Sequence, residues 1–184
     1  IPGGDIHQIE GNTQADIDVH NFLDRFPPHL DFLPEEEERG QAGLRALDIP
    51  EGAPFVCLIV RDSSYLKKSV PWKSWDYHNY RDVDISTLKE ATLALAEKGY
   101  WVFRMGKVVH EPFKLDRPRI LDYAKSDYRS DFLDIWLMAN CFFCISGGTG
   151  LDEVARIFRR PAVYVNYLPL QHLVTYDHVI SVPK

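Results

Sequence analysis

Apolar positions along the chain fall in short unbroken runs, separated by stretches in which they recur at helical spacing. Residues 55–60 (FVCLIV) are continuously apolar, which predicts a strand buried on both faces. Residues 100–105, 141–145 and 162–165 repeat that signature, residues 178–182 predict a last strand, and residues 120–123 a short one. Between them, Ile85, Leu88, Thr92 and Leu95 recur at helical spacing and Gly99 supplies the stop. Residues 131–139 predict a helix with Phe132, Ile135 and Trp136 turned inward. Leu151, Val154, Ala155 and Phe158 mark one face of another; Arg159 and Arg160 sit where its dipole favours cations, and Pro161 ends it. Ahead of the first strand, Pro34 followed by four glutamates predicts a helix to about residue 47, weakened by Gly40 and Gly43.

Apolar strands alternating with helices predict an α/β fold: a doubly wound, mainly parallel sheet with helices on both faces, Rossmann-like, over residues 34–184. Residues 1–33 carry no sustained period and predict a linker or irregular segment. Residues 61–82 form a long polar loop too aromatic for simple disorder, so a functional role is expected there. No internal repeat competes with this reading.

Length and composition narrow the function classes. With 184 residues, 45% hydrophobic and 26% charged, the chain suits one well-buried domain. A formal charge of -6 argues against nucleic acid as the principal partner, although a local basic pocket can still take a phosphorylated ligand. No apolar run approaches the roughly 20 residues of a spanning helix. The opening at Ile1 shows no signal-peptide pattern and suggests a trimmed chain. Cys57, Cys141 and Cys144 all lie in apolar runs, which fits a reducing cytoplasm, with a place at the periphery of an inner membrane compatible. The Cys141–Cys144 spacing reads as buried strand cysteines better than as zinc ligands.

In sheets of this kind ligands bind outside the carboxyl ends of the strands. The residues just past each predicted strand are Arg61, Asp62 and Ser63; Arg104, Met105, Gly106 and Lys107; Ser146, Gly147, Gly148, Thr149 and Gly150; and Asn166. The Ser-Gly-Gly-Thr-Gly turn is the strongest signal: glycines admit a ligand close to the backbone, and free amides at a helix start attract an anion. A tight turn needing positive φ is an equally good account of it. It is neither a Walker A loop nor a G-x-G-x-x-G fingerprint. Arg61 can fork onto phosphate oxygens with Arg104 or Lys107 beside it, or pair with a nearby carboxylate. Tyr77, His78 and Arg81 are candidates for stacking on or bonding to a substrate, or for packing on their own scaffold. Asp131 and Asp134 read as helix caps. Glu153, one turn into the helix, is placed for a sugar hydroxyl or for the helix dipole.

The ordered set Val60-Arg61-Asp62, Asp76 to Arg81, Gly99-Tyr100, Arg104-Met105-Gly106, Ser130 to Asp134, Gly148 to Leu151 and Arg160 to Asn166 resembles a family of bacterial glycosyltransferases associated with surface-polysaccharide synthesis. The resemblance covers residues 50–184. More distantly, the layout is similar to the donor-binding C-terminal half of GT-B glycosyltransferases, built from two Rossmann-like domains. It implies a nucleotide-diphosphate sugar as co-substrate, its diphosphate held at residues 146–150 and its hydroxyls near Glu153. It also implies a saccharide acceptor and a partner acceptor domain not contained in this chain. In the fucosyltransferase-like branch a His-x-Arg motif ends the first strand and its Arg meets the diphosphate. Arg61 matches that Arg, while Ile59 stands at the His position, so the branch's GDP-sugar donor does not carry over.

The expectation is therefore a glycosyltransferase donor domain with Arg61 as its catalytic residue. Arg61 and the amides of the glycine turn would stabilise the leaving diphosphate, with no cofactor and no metal. A nucleotide-sugar epimerase of the UDP-GlcNAc 2-epimerase type and a non-catalytic nucleotide- or carbohydrate-binding module are the alternatives. On its own, a chain of this length is expected to bind a donor without turning it over.

Overall fold

Six strands form one all-parallel sheet in the order β3-β2-β1-β4-β5-β6, in a computed structural model that describes Asp18, residues 20–113 and residues 115–184. The strands are β1 (Phe55–Ile59), β2 (Trp101–Arg104), β3 (Ile120–Leu121), β4 (Phe143–Ser146), β5 (Ala162–Tyr167) and β6 (Val179–Pro183). Every residue of β1 is buried, as its unbroken apolar run requires of a central strand. The chain steps outward from β1 through β2 to β3, then crosses back and steps the other way from β4 to β6. Order therefore reverses between β1 and β4, the kind of point at which such sheets place ligands. This is an α/β, Rossmann-like fold.

The helices are α1 (Phe22–Arg25), α2 (Pro34–Ala46), α3 (Ser64–Ser69), α4 (Lys89–Glu97), α5 (Asp131–Asn140) and α6 (Asp152–Ile157). One sheet face buries Cys57, Phe103 and Tyr164 with Leu44 of α2, Trp136 of α5 and Ala155 of α6. The other buries Val56, Leu58 and Val102 beneath Leu88 and the apolar side of α4. The long polar stretch at residues 61–82 is not one loop: it contains α3 and a 3-10 turn at Asp76–Arg81.

Local chemistry explains α2 and its seat. Pro34 occupies the first turn, and the Glu36 carboxylate accepts from the Leu33 amide at 2.9 Å. Gly40 and Gly43, which lower helix propensity, let α2 lie against α5. A Cβ on Gly40 would sit 2.1 Å from the Trp136 ring, and one on Gly43 2.8 Å from Leu133. The indole of Trp136 in turn donates to Glu37 at 3.0 Å.

Helix α5 corrects two expectations. Ile135 is 43% exposed, and Leu133, Trp136 and Leu137 face the core instead. Those three share the i, i+3, i+4 stripe, whereas Ile135 lies about 200° round the helix from Leu133. The cap is Ser130, which accepts from the Leu133 amide at 3.1 Å. Asp131 and Asp134 both accept from Arg129 instead. Strand β4 starts two residues later than expected, because Cys141 and Phe142 serve the turn out of α5: Cys141 is buried and its thiol donates to the Met138 carbonyl at 3.2 Å. All three cysteines are free and buried.

Of the expected linker, residues 1–17 and residue 19 lie outside the described residues. The remainder docks on the domain: Phe32 stacks on Phe158 with ring centroids 5.4 Å apart, and Asp24 accepts from the Asp177 amide at 2.9 Å. Among the described residues no helix is long and apolar enough to cross a membrane.

Candidate functional site

The carboxyl ends of β1 and β2 open into a cleft of about 550 Å³ walled by the residues following β1, by residues 82–85, and by Arg104, His110 and Glu111. It lies beside the strand-order reversal, where the fold places ligands.

Arg61 is the cation at the exit of β1, with Lys67 and Arg104 also on the cleft wall. Its side chain is 15% exposed and its Nε lies 3.6 Å from Asp82 Oδ1, too far for a hydrogen bond. Both atoms are buried without a hydrogen-bond partner. The Arg61 carbonyl accepts from the Val83 amide at 3.2 Å, which pins the return of the aromatic excursion against the strand exit. Two further basic side chains close in. His78 Nδ1 and Arg81 Nε are also buried and unpartnered. Burial, and then the like charge of Arg81, hold the Arg61 guanidinium below its ordinary pKa. Burial, then Arg61 and Arg81, push the His78 imidazole down as well. Unmatched donors and mutually repelling cations, offset by Asp82, form a place where an anion with several oxygens relieves both costs.

The neighbouring candidates have structural employment. Asp62 accepts from the Ser64 amide at 2.8 Å and the His110 amide at 2.5 Å, stapling the loop after β2 to the exit of β1. Those bonds hold its pKa below the ordinary value against the opposing effect of burial. Arg104 was expected to add charge beside Arg61. Instead it is 2% exposed, with Nη1 donating to Asp122 at 2.9 Å and Nη2 to the Glu111 carbonyl at 3.0 Å. It forms cleft wall, neutralised by its own ion pair. Met105 is buried with its amide donating to the Leu58 carbonyl at 2.8 Å. Gly106 adopts φ 144°, and a Cβ there would meet Val109 at 2.6 Å. Lys107 lies off the cleft, paired with Asp131 at 2.9 Å.

The glycine turn differs most from its expectation of free amides. The Gly147 amide donates to the Ile59 carbonyl at 3.0 Å, the Gly148 amide to Ser146 Oγ at 3.0 Å, and the Thr149 amide to Asp152 Oδ2 at 3.0 Å. Ser146 Oγ in turn donates to Asp152. The protein thus supplies its own acceptors where the sequence suggested an anion. Gly147 is needed for close approach, since a Cβ would lie 3.3 Å from the Arg61 amide and 3.0 Å from Val83; Gly148 takes φ 79° against the Tyr167 ring. At Gly150, by contrast, a Cβ would meet nothing within 4 Å. Helix α6 has only six residues, Glu153 pairs with Arg156 at 2.6 Å, and Asn166 sits inside β5 at φ 53°, where its register with β6 shifts.

Asp152 went unnoticed in the sequence. It is 2% exposed, and burial, opposed by the bonds from Ser146 and Thr149, pushes its carboxyl up to about 6. The signal was present as Thr149-x-x-Asp152, the spacing by which an acidic side chain reaches back to cap a helix start.

Residues called upon from distant parts of the sequence do meet: Arg61, Asp62 and Arg104 share the cleft, while the tilted rings of Tyr77 and His78 lie with centroids 4.0 Å apart in the segment whose Arg81 presses on Arg61. Compared with protein-family models, curated proteins and solved structures, the chain matches none.

Proposed function

We propose that this domain binds the diphosphate of a nucleotide sugar at the exit of β1, as the donor-binding part of a glycosyltransferase acting in surface-polysaccharide synthesis. The observation that carries the reading is Arg61, half-buried at the strand-order reversal with an unpartnered Nε, next to Arg81 and His78 and open to a cleft of about 550 Å³. A guanidinium in that position offsets charge that grows on a departing diphosphate, and needs no metal to do so. The sugar would then pass to a saccharide hydroxyl, with an acceptor domain beyond this chain contributing the base.

Titration calorimetry with UDP, GDP, ADP and CMP sugars tests the reading. One of these binds wild type, and Arg61→Ala lowers its affinity by about 10- to 100-fold, the loss of one charge-assisted, forked contact. Absence of binding to all four by folded protein sinks it.

The internally bonded amides at residues 147–149 favour a second reading, a module that holds a phosphorylated sugar without transferring it. Binding without release of free nucleotide, in the presence of saccharide acceptors and a longer chain, separates the two.

A further inference from the structure

We propose that the aromatic and basic excursion of residues 64–81 docks the protein on an anionic lipid surface. The stretch inverts the charge of the molecule that carries it. Lys67, Lys68, Lys73 and Arg81 stand against one carboxylate, Asp76, in a chain of net charge -6. Trp72 is 81% exposed, and Tyr65, Tyr77 and Tyr80 are exposed with it. Indole and phenol rings interleaved with lysine make up the set that a bilayer interface takes in, rings at the headgroup level and ammonium groups among the phosphates.

The excursion is built for presentation. Trp75 turns inward, its Nε1 donating to the Val70 carbonyl at 3.1 Å. Its ring carries the Lys73 ammonium at 4.5 Å and lies 6.2 Å from Tyr77. The Lys67–Asp76 pair, at 3.9 Å, ties α3 to the 3-10 turn. These contacts fix a base from which Trp72 projects. Composition separates a lipid occupant from a protein one: the buried centre of a protein interface is depleted in lysine, whereas each lysine near an anionic bilayer adds attraction. The charge is also local, so the acidic remainder of the molecule is held off the surface and the basic face turned toward it.

Sedimentation of the full chain with vesicles provides the test, using phosphatidylcholine with one-third phosphatidylglycerol against phosphatidylcholine alone. At low salt the protein pellets with the anionic vesicles only, and added salt releases it. Replacing Lys67, Lys68 and Lys73 by Gln together weakens partitioning about 100-fold, roughly five-fold per lysine. Lys68→Glu, which leaves the internal contacts of the excursion intact, weakens it by more than five-fold even if the triple variant folds poorly. Trp fluorescence shifts to the blue on binding, and Trp72→Phe loses most of that shift while still pelleting. No pelleting at low salt overturns the proposal. So do equal binding to neutral vesicles, undiminished binding of Lys68→Glu, and a lipid-free dimer that buries Trp72.

Discussion

Asp152 makes the glycine turn sensitive to pH in a direction opposite to Asp62 and Asp131, whose pKa values are held below the ordinary one. Its folded-state pKa, about 6 against an ordinary 3.8, means that the native state holds the proton more tightly than the unfolded chain does. The contribution is therefore most favourable below about pH 4, falls as pH climbs from 4 to 6, and stays low above that. The upper bound of the loss is about 3 kcal/mol, for a shift of about two pH units. Asp152→Asn removes this titration. Melting temperatures of wild type and variant measured from pH 4 to 7 should converge on the acid side and shift in the variant's favour toward neutrality; parallel profiles would refute the assignment. At the same scale, Arg61 was legible because an arginine directly after a buried strand has nowhere ordinary to go. Arg104 misled for an instructive reason: its partners Asp122 and the Glu111 carbonyl come from segments that only the folded chain brings to it.

Glycines govern how the elements meet, and they divide into those facing protein and those, Gly150 among them, facing open space. Gly40→Ala drives a methyl into the Trp136 ring of α5 and should lower stability by about 1–3 kcal/mol, read as a drop in melting temperature. Gly150→Ala meets nothing in the protein, so its melting temperature should stay within a degree or so of wild type. If donor phosphates lie against the turn, that same variant loses affinity for the nucleotide sugar in calorimetry; unchanged affinity would place the anion wholly at Arg61, Arg81 and His78. The strands were legible as elements because burial on both faces writes a continuous apolar run. Helix α3 was not, since Ser64–Ser69 offers one leucine, Leu66, and no apolar stripe. The glycine turn was legible as a turn but the bonding of its amides was not, because spacing shows where amides cluster and says nothing of acceptors such as Ser146 and Asp152 that fold back onto them.

In the whole molecule, several exceptions meet in the segment that follows β1. The acidic chain turns basic over residues 64–81 there, Trp72 and Tyr77 stand uncovered there, and Arg61, His78 and Arg81 bring buried nitrogens without partners there. The far side of the architecture is conventional packing, and its most uniform feature lies in the middle: Cys57, Cys141 and Cys144 are each 0% exposed, with Cys57 and Cys144 paired across adjacent central strands. Burial pushes the Cys57 and Cys144 thiols well above their ordinary pKa, so neither is a thiolate at neutral pH. The native protein should therefore ignore a thiol reagent such as dithionitrobenzoate over minutes, then release three equivalents of chromophore together once denaturant opens the sheet. A rapid single-thiol phase in native buffer would contradict the packing. With that behaviour the cysteines become a clock built into the sheet: the slow rate at which colour develops without denaturant counts how often its centre comes apart, and a donor that grips the exit of β1 should slow the clock.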